Sequence, residues 1–200
     1  QWFANIRSDQ WLLWRIPCFK ALAVKPSLAS LEFFNSLSAR KKDRLAGKHY
    51  LEKHPELLPT LLFYSIETKQ ARIQVVISWC IELYLIEHLD ELTAYLNRYL
   101  EALPNIRNES MRRSLSKILY YYVKKEHHRL SKHQKQRIIT LAFDWLIEPA
   151  QVATLNFALR IVKIFEDYAP WVRKELHAII KKQLPDASPG YSAAAREILK

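Results

Sequence analysis

The chain has 200 residues, enough for one domain with a sizeable core, and half of them are apolar, which argues against disorder. Gly47 and Gly190 are the only glycines, which argues against β-rich folds, phosphate-binding loops and nucleophile elbows, since these rely on glycine for positive φ. The formal net charge of +11 at pH 7 favours an anionic partner.

The N-terminal stretch carries too many large apolar side chains for a solvated tail. They are Trp2, Phe3, Trp11, Leu12, Trp14 and Ile16. We expect residues 1–26 to form a cap over the open apolar end of the helices that follow. A helix that binds a membrane surface or a partner is the competing interpretation, because Arg7 and Arg15 flank the aromatic residues.

The two cysteines and the hydropathy pattern limit the setting of the protein. Cys18 and Cys80 have no CxxC partner, which argues against a zinc site or a disulfide framework. The longest nearly apolar run, Val75–Ile86, is too short to span a bilayer and contains Glu82. No signal segment opens the chain, so a reducing, cytoplasmic setting without a membrane is expected.

The rest of the chain has the pattern of long helices separated by prolines, with no alternating strand pattern. In the predicted helix Ser110–Lys125, five apolar residues recur at helical spacing and form one stripe. These residues are Met111, Leu115, Ile118, Leu119 and Tyr122. Further helices are predicted at about 54–66, 88–103, 132–147 and 169–184.

An internal repeat relates four of the predicted helical segments. Residues 71–80 align with residues 110–119, 150–159 and 190–199 at spacings of 39, 40 and 40. A period near 40 with two helices per unit is typical of HEAT and armadillo arrays. The sequence therefore predicts an all-α protein, a single right-handed α-α superhelix over residues 1–200 with four to five helical hairpins. The expected units are 27–53, 54–87, 88–130, 131–168 and 169–200.

Short motifs in the second half of the chain match a known family. They are Arg112-Arg113, Phe143–Leu146, Glu148–Ala153, Ala158-Leu159, Tyr168–Pro170, Lys174–Leu176, Ser188–Gly190 and Ala195-Arg196. On these residues the region from about Glu109 to Lys200 resembles small bacterial HEAT-like repeat proteins. The motifs are caps, turns and stripe positions, so the resemblance implies a fold and no activity.

Positive charge concentrates between Arg107 and Arg137, where ten Lys or Arg residues accompany two carboxylates. In HEAT arrays the second helix of each hairpin lines the concave surface. The residues expected there are Arg113, Lys117, Tyr120 and Lys124, with Asn156, Arg160 and Lys163 in the next unit. The preceding unit is expected to present Gln74, Ser78 and Ile81 on the same surface.

Three interpretations of this basic surface remain open at this point. Cations with an interleaved aromatic residue suit a nucleic acid, an acidic protein surface suits them equally, and a solubilising face needs no partner. The favoured function is a non-catalytic module that binds a macromolecular partner, with no cofactor and no metal.

The alternative function is a DNA-processing enzyme similar to the HEAT-like alkylpurine DNA glycosylases, which use a carboxylate and aromatic residues on a basic surface. Glu82 beside Trp79 is the possible counterpart, and Asp144 next to Trp145 is a weaker one because adjacent side chains diverge on a helix. His127, His128 and His133 are interpreted as polar loop residues, because the surrounding lysines and arginines repel a metal cation.

Overall fold

The computed structural model describes residues 26–148 and 152–199, and these ranges form an all-α structure without β-strands. The predicted fold class is confirmed at this level. The α-helices of the described ranges, numbered in chain order, are α1 (Leu28–Ser36), α2 (Lys41–Lys53), α3 (Leu58–Glu67), α4 (Ala71–Glu87), α5 (Leu96–Ala102), α6 (Glu109–Glu126), α7 (Lys132–Ile147), α8 (Val152–Ile164), α9 (Pro170–Gln183) and α10 (Pro189–Ile198). No helix in these ranges has the length and apolar character needed to cross a membrane.

Several helices begin at polar caps that are visible in the sequence. The side chains of Ser27, Asn108, Ser131 and Ser188 each accept a hydrogen bond from a backbone N–H of the first turn. Such caps satisfy amides that have no partner within the helix. Ser131 and Gln134 form a reciprocal capping box that starts α7.

The segment predicted as one helix at 88–103 has a more complex form. A 3-10 helix occupies Leu89–Tyr95 and passes directly into the short helix α5. Leu89 and Leu92 are buried three residues apart, which suits the three-residue turn of a 3-10 helix, and Leu96 and Leu100 then follow α-helical spacing. The change of period within one apolar stripe accounts for the difference from the prediction.

The predicted N-terminal cap at 1–26 lies outside the described residues except for Pro26, and Cys18 lies outside them as well. Cys80 is a free thiol buried in α4. Burial raises the pKa of this thiol to about 12, so it remains protonated and unreactive at neutral pH.

The even-numbered helices form a row in which α2 packs on α4, α4 on α6, α6 on α8 and α8 on α10. The odd-numbered helices α3 and α7 pack on α4 and α8, and the contacts of α7 with α5 and α9 are less extensive than those within the row. Leu51, Ile77, Leu115 and Leu159 are fully buried, one in each of the first four helices of the row. The hydrophobic core therefore runs along the row of even-numbered helices.

Gly47 allows α2 to approach α4 closely. A Cβ atom placed on Gly47 would lie 2.3 Å from Sγ of Cys80 and 2.9 Å from its Cβ. These distances are shorter than any van der Waals contact, so α2 and α4 reach their spacing because residue 47 has no side chain.

Candidate partner-binding surface

Helix α6 is buried on nearly all sides, since it packs between α4 and α8 with the 3-10 helix Leu89–Tyr95 behind it. The five residues of its predicted apolar stripe are all buried. Between Met111 and Val123, only Arg113, Lys117, Tyr120 and Tyr121 reach solvent. The surface that α6 presents therefore consists of predicted site residues together with Tyr121.

The seven predicted site residues are here called the α6–α8 face: Arg113, Lys117, Tyr120, Lys124, Asn156, Arg160 and Lys163. The structure brings the two helices of this face into direct contact. The rings of Tyr120 and Phe157 lie tilted against each other, with their centroids 5.8 Å apart. Phe157 was not predicted as a site residue, although it lies 40 positions after Lys117 and the repeat period therefore indicated it.

Arg113 and Lys117 converge on one buried carboxylate of α4. Nζ of Lys117 lies 2.7 Å from Oε1 of Glu82, and a guanidinium nitrogen of Arg113 lies 3.6 Å from Oε2. Glu82 is only 5% exposed. A carboxylate with so little access to water requires compensating charge, and the two cations supply it.

Carboxylates also neutralise most of the remaining charge on the α6–α8 face. Arg160 lies 2.8 Å from Glu197 of α10, and Lys163 lies 2.8 Å from Glu166. Lys124 is exposed and has no ion-pair partner among the described residues. The five cations of the face are thus accompanied by three carboxylates, and Lys124 is the one whose charge is fully available.

The pKa of Arg160 reflects this environment. Partial burial lowers that pKa, but the hydrogen bond and charge of Glu197, together with Tyr120, outweigh the burial and leave the pKa raised. The Arg160 side chain is therefore a cation held in place by its ion pair with Glu197 of α10.

The prediction of which α4 residues face the binding surface is wrong. Ser78 and Ile81 are fully buried, and Gln74, which is partly exposed, donates a hydrogen bond to the carbonyl oxygen of Thr68. Besides Gln74, the partly exposed residues along α4 are Val75, Trp79, Leu83 and Ile86. Helices α1, α2, α3 and α6 all pack on α4 and bury the stripe that the repeat alignment had turned outward.

Four contacts between successive even-numbered helices form a cross-helix ladder. Its rungs are Arg44 over the ring of Trp79 at 5.2 Å, Glu82 with Lys117 at 2.7 Å, Tyr120 with Phe157 at 5.8 Å, and Arg160 with Glu197 at 2.8 Å. The two residues of each rung are 35 to 37 positions apart in the sequence. The first residues of successive rungs are separated by 38, 38 and 40 positions, so one geometric position recurs with varied chemistry.

The candidate catalytic residues lie within or near this ladder. Both carboxylate oxygens of Glu82 face cations, and the ring of Trp79 lies beneath the guanidinium of Arg44. Asp144 is exposed whereas Trp145 is 2% exposed, so these two side chains lie on different sides of α7, as expected from their adjacency.

One group of side chains in the described ranges has the spacing of metal ligands. Atoms of Glu52, Glu87 and His88 lie within 4.8 Å of one another. The ammonium of Lys48 lies 3.2 Å from Glu52 and 2.6 Å from Glu87, so a protein cation already bridges the two carboxylates. His127, His128 and His133 do not belong to this group.

Comparison with protein-family models, curated proteins and solved structures finds no match for this chain. The geometry of the chain itself is therefore the basis of the functional argument.

Proposed function

We propose that the protein is a HEAT-like α-solenoid that binds a macromolecular partner through the α6–α8 face and performs no chemistry. The cross-helix ladder is the observation that carries the proposal. A contact that recurs every 38 to 40 residues between successive even-numbered helices is what stacked two-helix units produce. A helical bundle without repeats has no reason to preserve one such spacing.

The even-numbered and odd-numbered helices pack to different extents, and this difference supports a curved array. The even-numbered helices pack more extensively on one another than the odd-numbered helices do. Closer packing on one side of a stack bends the stack toward that side, so the even-numbered helices belong on the concave surface. Concave solenoid surfaces are extended binding sites, and in this arrangement the α6–α8 face forms part of one.

The composition of the α6–α8 face fits an anionic macromolecule better than a small molecule. Half-exposed Tyr120 lies beside cations on both helices, and the face continues across two units. Aromatic rings surrounded by cations suit acidic polypeptides and nucleic acids alike. Glu82 has the environment of a structural ion-pair residue, since its neighbours are cations and it is closed to solvent.

A double variant on the face, with a matched control elsewhere, tests the proposal. Tyr120→Ala with Lys124→Ala removes one aromatic ring and one cation from the face. The control, Trp171→Ala with Lys181→Ala, also removes one aromatic ring and one cation, but from exposed positions of α9. Binding is measured by fluorescence anisotropy with two labelled probes, polyglutamate and an oligonucleotide, in about 50 mM salt, where backbone contacts are strong.

We expect at least one probe to bind, with affinity that falls for the face variant and is retained in the α9 control. No binding of either probe, or an equal loss in both variants, would refute the proposed function.

A further inference from the structure

A dense group of exposed cations lies at the junction of α6 and α7. This α6–α7 junction is defined by Lys125, Arg129, Lys132 and Lys135, with the imidazoles of His127, His128 and His133 between them. All are exposed except Lys135, which is partly exposed. Glu126 is the sole carboxylate between residues 124 and 137, and it is buried and paired with Arg129 at 3.2 Å.

The placement of this charge is unfavourable for the fold. Lys132, His133 and Lys135 lie in the first turn of α7, at the positive end of its dipole, and the first turn contains no acidic residue. The side chain of Ser131 already accepts a hydrogen bond from an amide of this turn, and cationic side chains cannot accept one, so the cations add no capping. An anion bound at the junction would relieve the repulsion between the cations and the helix end.

Within residues 124–137 the junction offers charge but no exposed apolar anchor, which favours phosphates over an acidic protein; the partly exposed rings of Tyr120 and Tyr121 lie beside it on α6. Protein interfaces depend on buried aromatic or aliphatic anchors. The large apolar side chains exposed in the described ranges are Leu28, Leu45, Ile147, Val152 and Trp171, and none lies between residues 124 and 137. Charge without an apolar anchor is sufficient for a nucleic-acid backbone, whose affinity comes from the release of counterions.

An aromatic surface adjoins these cations. Tyr121 is partly exposed and lies three and four residues before Lys124 and Lys125, so the three side chains share one side of α6. The rings of Tyr121 and Tyr120 are 5.2 Å apart, and Tyr120 contacts Phe157. Unpaired bases stack on such rings, whereas the bases of a duplex are not available for stacking.

We propose that the α6–α7 junction binds the phosphate backbone of a single-stranded nucleic acid whose bases stack on Tyr121 and Tyr120. This inference rests on the proposed function, because it names the class of partner and extends the binding surface beyond the α6–α8 face.

Matched charge variants test the phosphate contacts. Lys125→Ala, Lys132→Ala and Lys135→Ala are combined, and the control combines Lys174→Ala, Lys181→Ala and Lys182→Ala on exposed positions of α9. With a labelled 15-nucleotide single strand, we expect the junction variant to flatten the log–log salt slope by about 2, at about 0.7 per lost phosphate contact. The control should retain the slope of the original protein. An equal change in both variants would overturn the inference.

A second pair of variants tests the stacking. Tyr121→Ala should weaken single-strand binding by about tenfold without changing the salt slope, and Tyr121→Phe should retain affinity because the ring remains. Circular dichroism verifies that each variant keeps its helix content. Equal affinity of Tyr121→Ala and Tyr121→Phe, or duplex bound as tightly as single strand, would overturn the assignment of a stacked single strand.

Two further probes separate this inference from the proposed function. Absence of oligonucleotide binding together with binding of polyglutamate that depends on Tyr120 and Lys124 would overturn the inference and support the proposed function. Binding of anionic phosphatidylserine vesicles without binding of oligonucleotides would overturn it in favour of a lipid surface.

Discussion

Glu82 and Lys117 show how a surface cation acquires a structural role. Lys117 lies on the exposed strip of α6, but its ammonium is 2.7 Å from a carboxylate that is almost closed to solvent. Arg113, at 3.6 Å, is a weaker second partner. The two members of the pair should therefore respond differently to substitution.

Lys117→Ala should lower the free energy of unfolding by about 1–3 kcal/mol, because it leaves a buried carboxylate with one distant cation. Glu82→Gln should cost less, since a neutral amide requires no compensating charge and still accepts a hydrogen bond from Lys117. Urea denaturation midpoints measure both losses.

Lys163→Ala is the control for this pair, because Lys163 and Glu166 are both more accessible than Glu82. It should change the stability by less than about 0.5 kcal/mol, as surface pairs do. If Lys117→Ala were as mild as Lys163→Ala, Glu82 would be adequately solvated without its partner.

The two glycines offer a second contrast at the scale of single residues. Gly47→Ala should destabilise the protein by about 1–3 kcal/mol, because the new methyl group overlaps Cys80 and α2 must move away from α4. Gly190→Ala, where the nearest atom is a methyl of half-exposed Val152 at 3.3 Å, should be neutral or stabilising by about 0.4–1 kcal/mol. Thermal denaturation of both variants provides the comparison, and similar melting temperatures would contradict the close contact between α2 and α4.

At the scale of elements, the stability of α8 depends on a buried leucine in its middle. Leu159 corresponds to Cys80, Leu119 and Leu199 in the repeat alignment, and the first three of these four residues are fully buried. Helix α8 packs against α6, α7 and α10 at once, so little freedom remains for the structure to fill a cavity there.

Leu159→Ala should therefore cost about 2–5 kcal/mol through loss of apolar contact and formation of a cavity. Leu155→Ala, one turn earlier and partly exposed, is the matched control and should cost less. Denaturant midpoints again give the difference. A loss below about 0.5 kcal/mol at Leu159 would mean that this stripe faces solvent.

At the scale of the whole molecule, a buried thiol and several buried phenols make the free energy of unfolding depend on pH in the alkaline range. Burial raises the pKa of Cys80 to about 12 and also raises the pKa values of Tyr84, Tyr99 and Tyr191. In the unfolded chain, thiols and phenols ionise near their ordinary values of about 8.5 and 10. Above those values the unfolded state binds fewer protons than the folded state, so stability is complete below pH 8 and falls as pH rises toward 12.

Each such group should contribute a slope of about 1.4 kcal/mol per pH unit once its unfolded form is ionised. Tyr99 is fully buried and donates a hydrogen bond to the carbonyl oxygen of Leu115 at 2.6 Å. Tyr99→Phe should lower stability at neutral pH but give a shallower decline between pH 10 and 11, measured by urea denaturation. An unchanged slope would show that Tyr99 does not remain protonated in the folded state.

The sequence by itself determined the all-α class, most helix positions and the buried stripe of α6. These features follow from local periodicity, capping residues and the absence of glycine-rich turns, all of which act within a few residues. The 40-residue period also predicted that Cys80, Leu119 and Leu159 occupy similar positions, and all three are fully buried.

Only the tertiary structure decided which cations of the α6–α8 face are paired and which way α4 faces. Glu82 meets Lys117 across 35 residues and Arg160 meets Glu197 across 37, so neither partner is visible in the local pattern. The orientation of α4 depends on the four helices that surround it, since an all-round apolar helix has no preferred outward stripe of its own. Charge counted along the chain therefore overstated the open charge of the face, because neutralisation depends on which side chains meet in space.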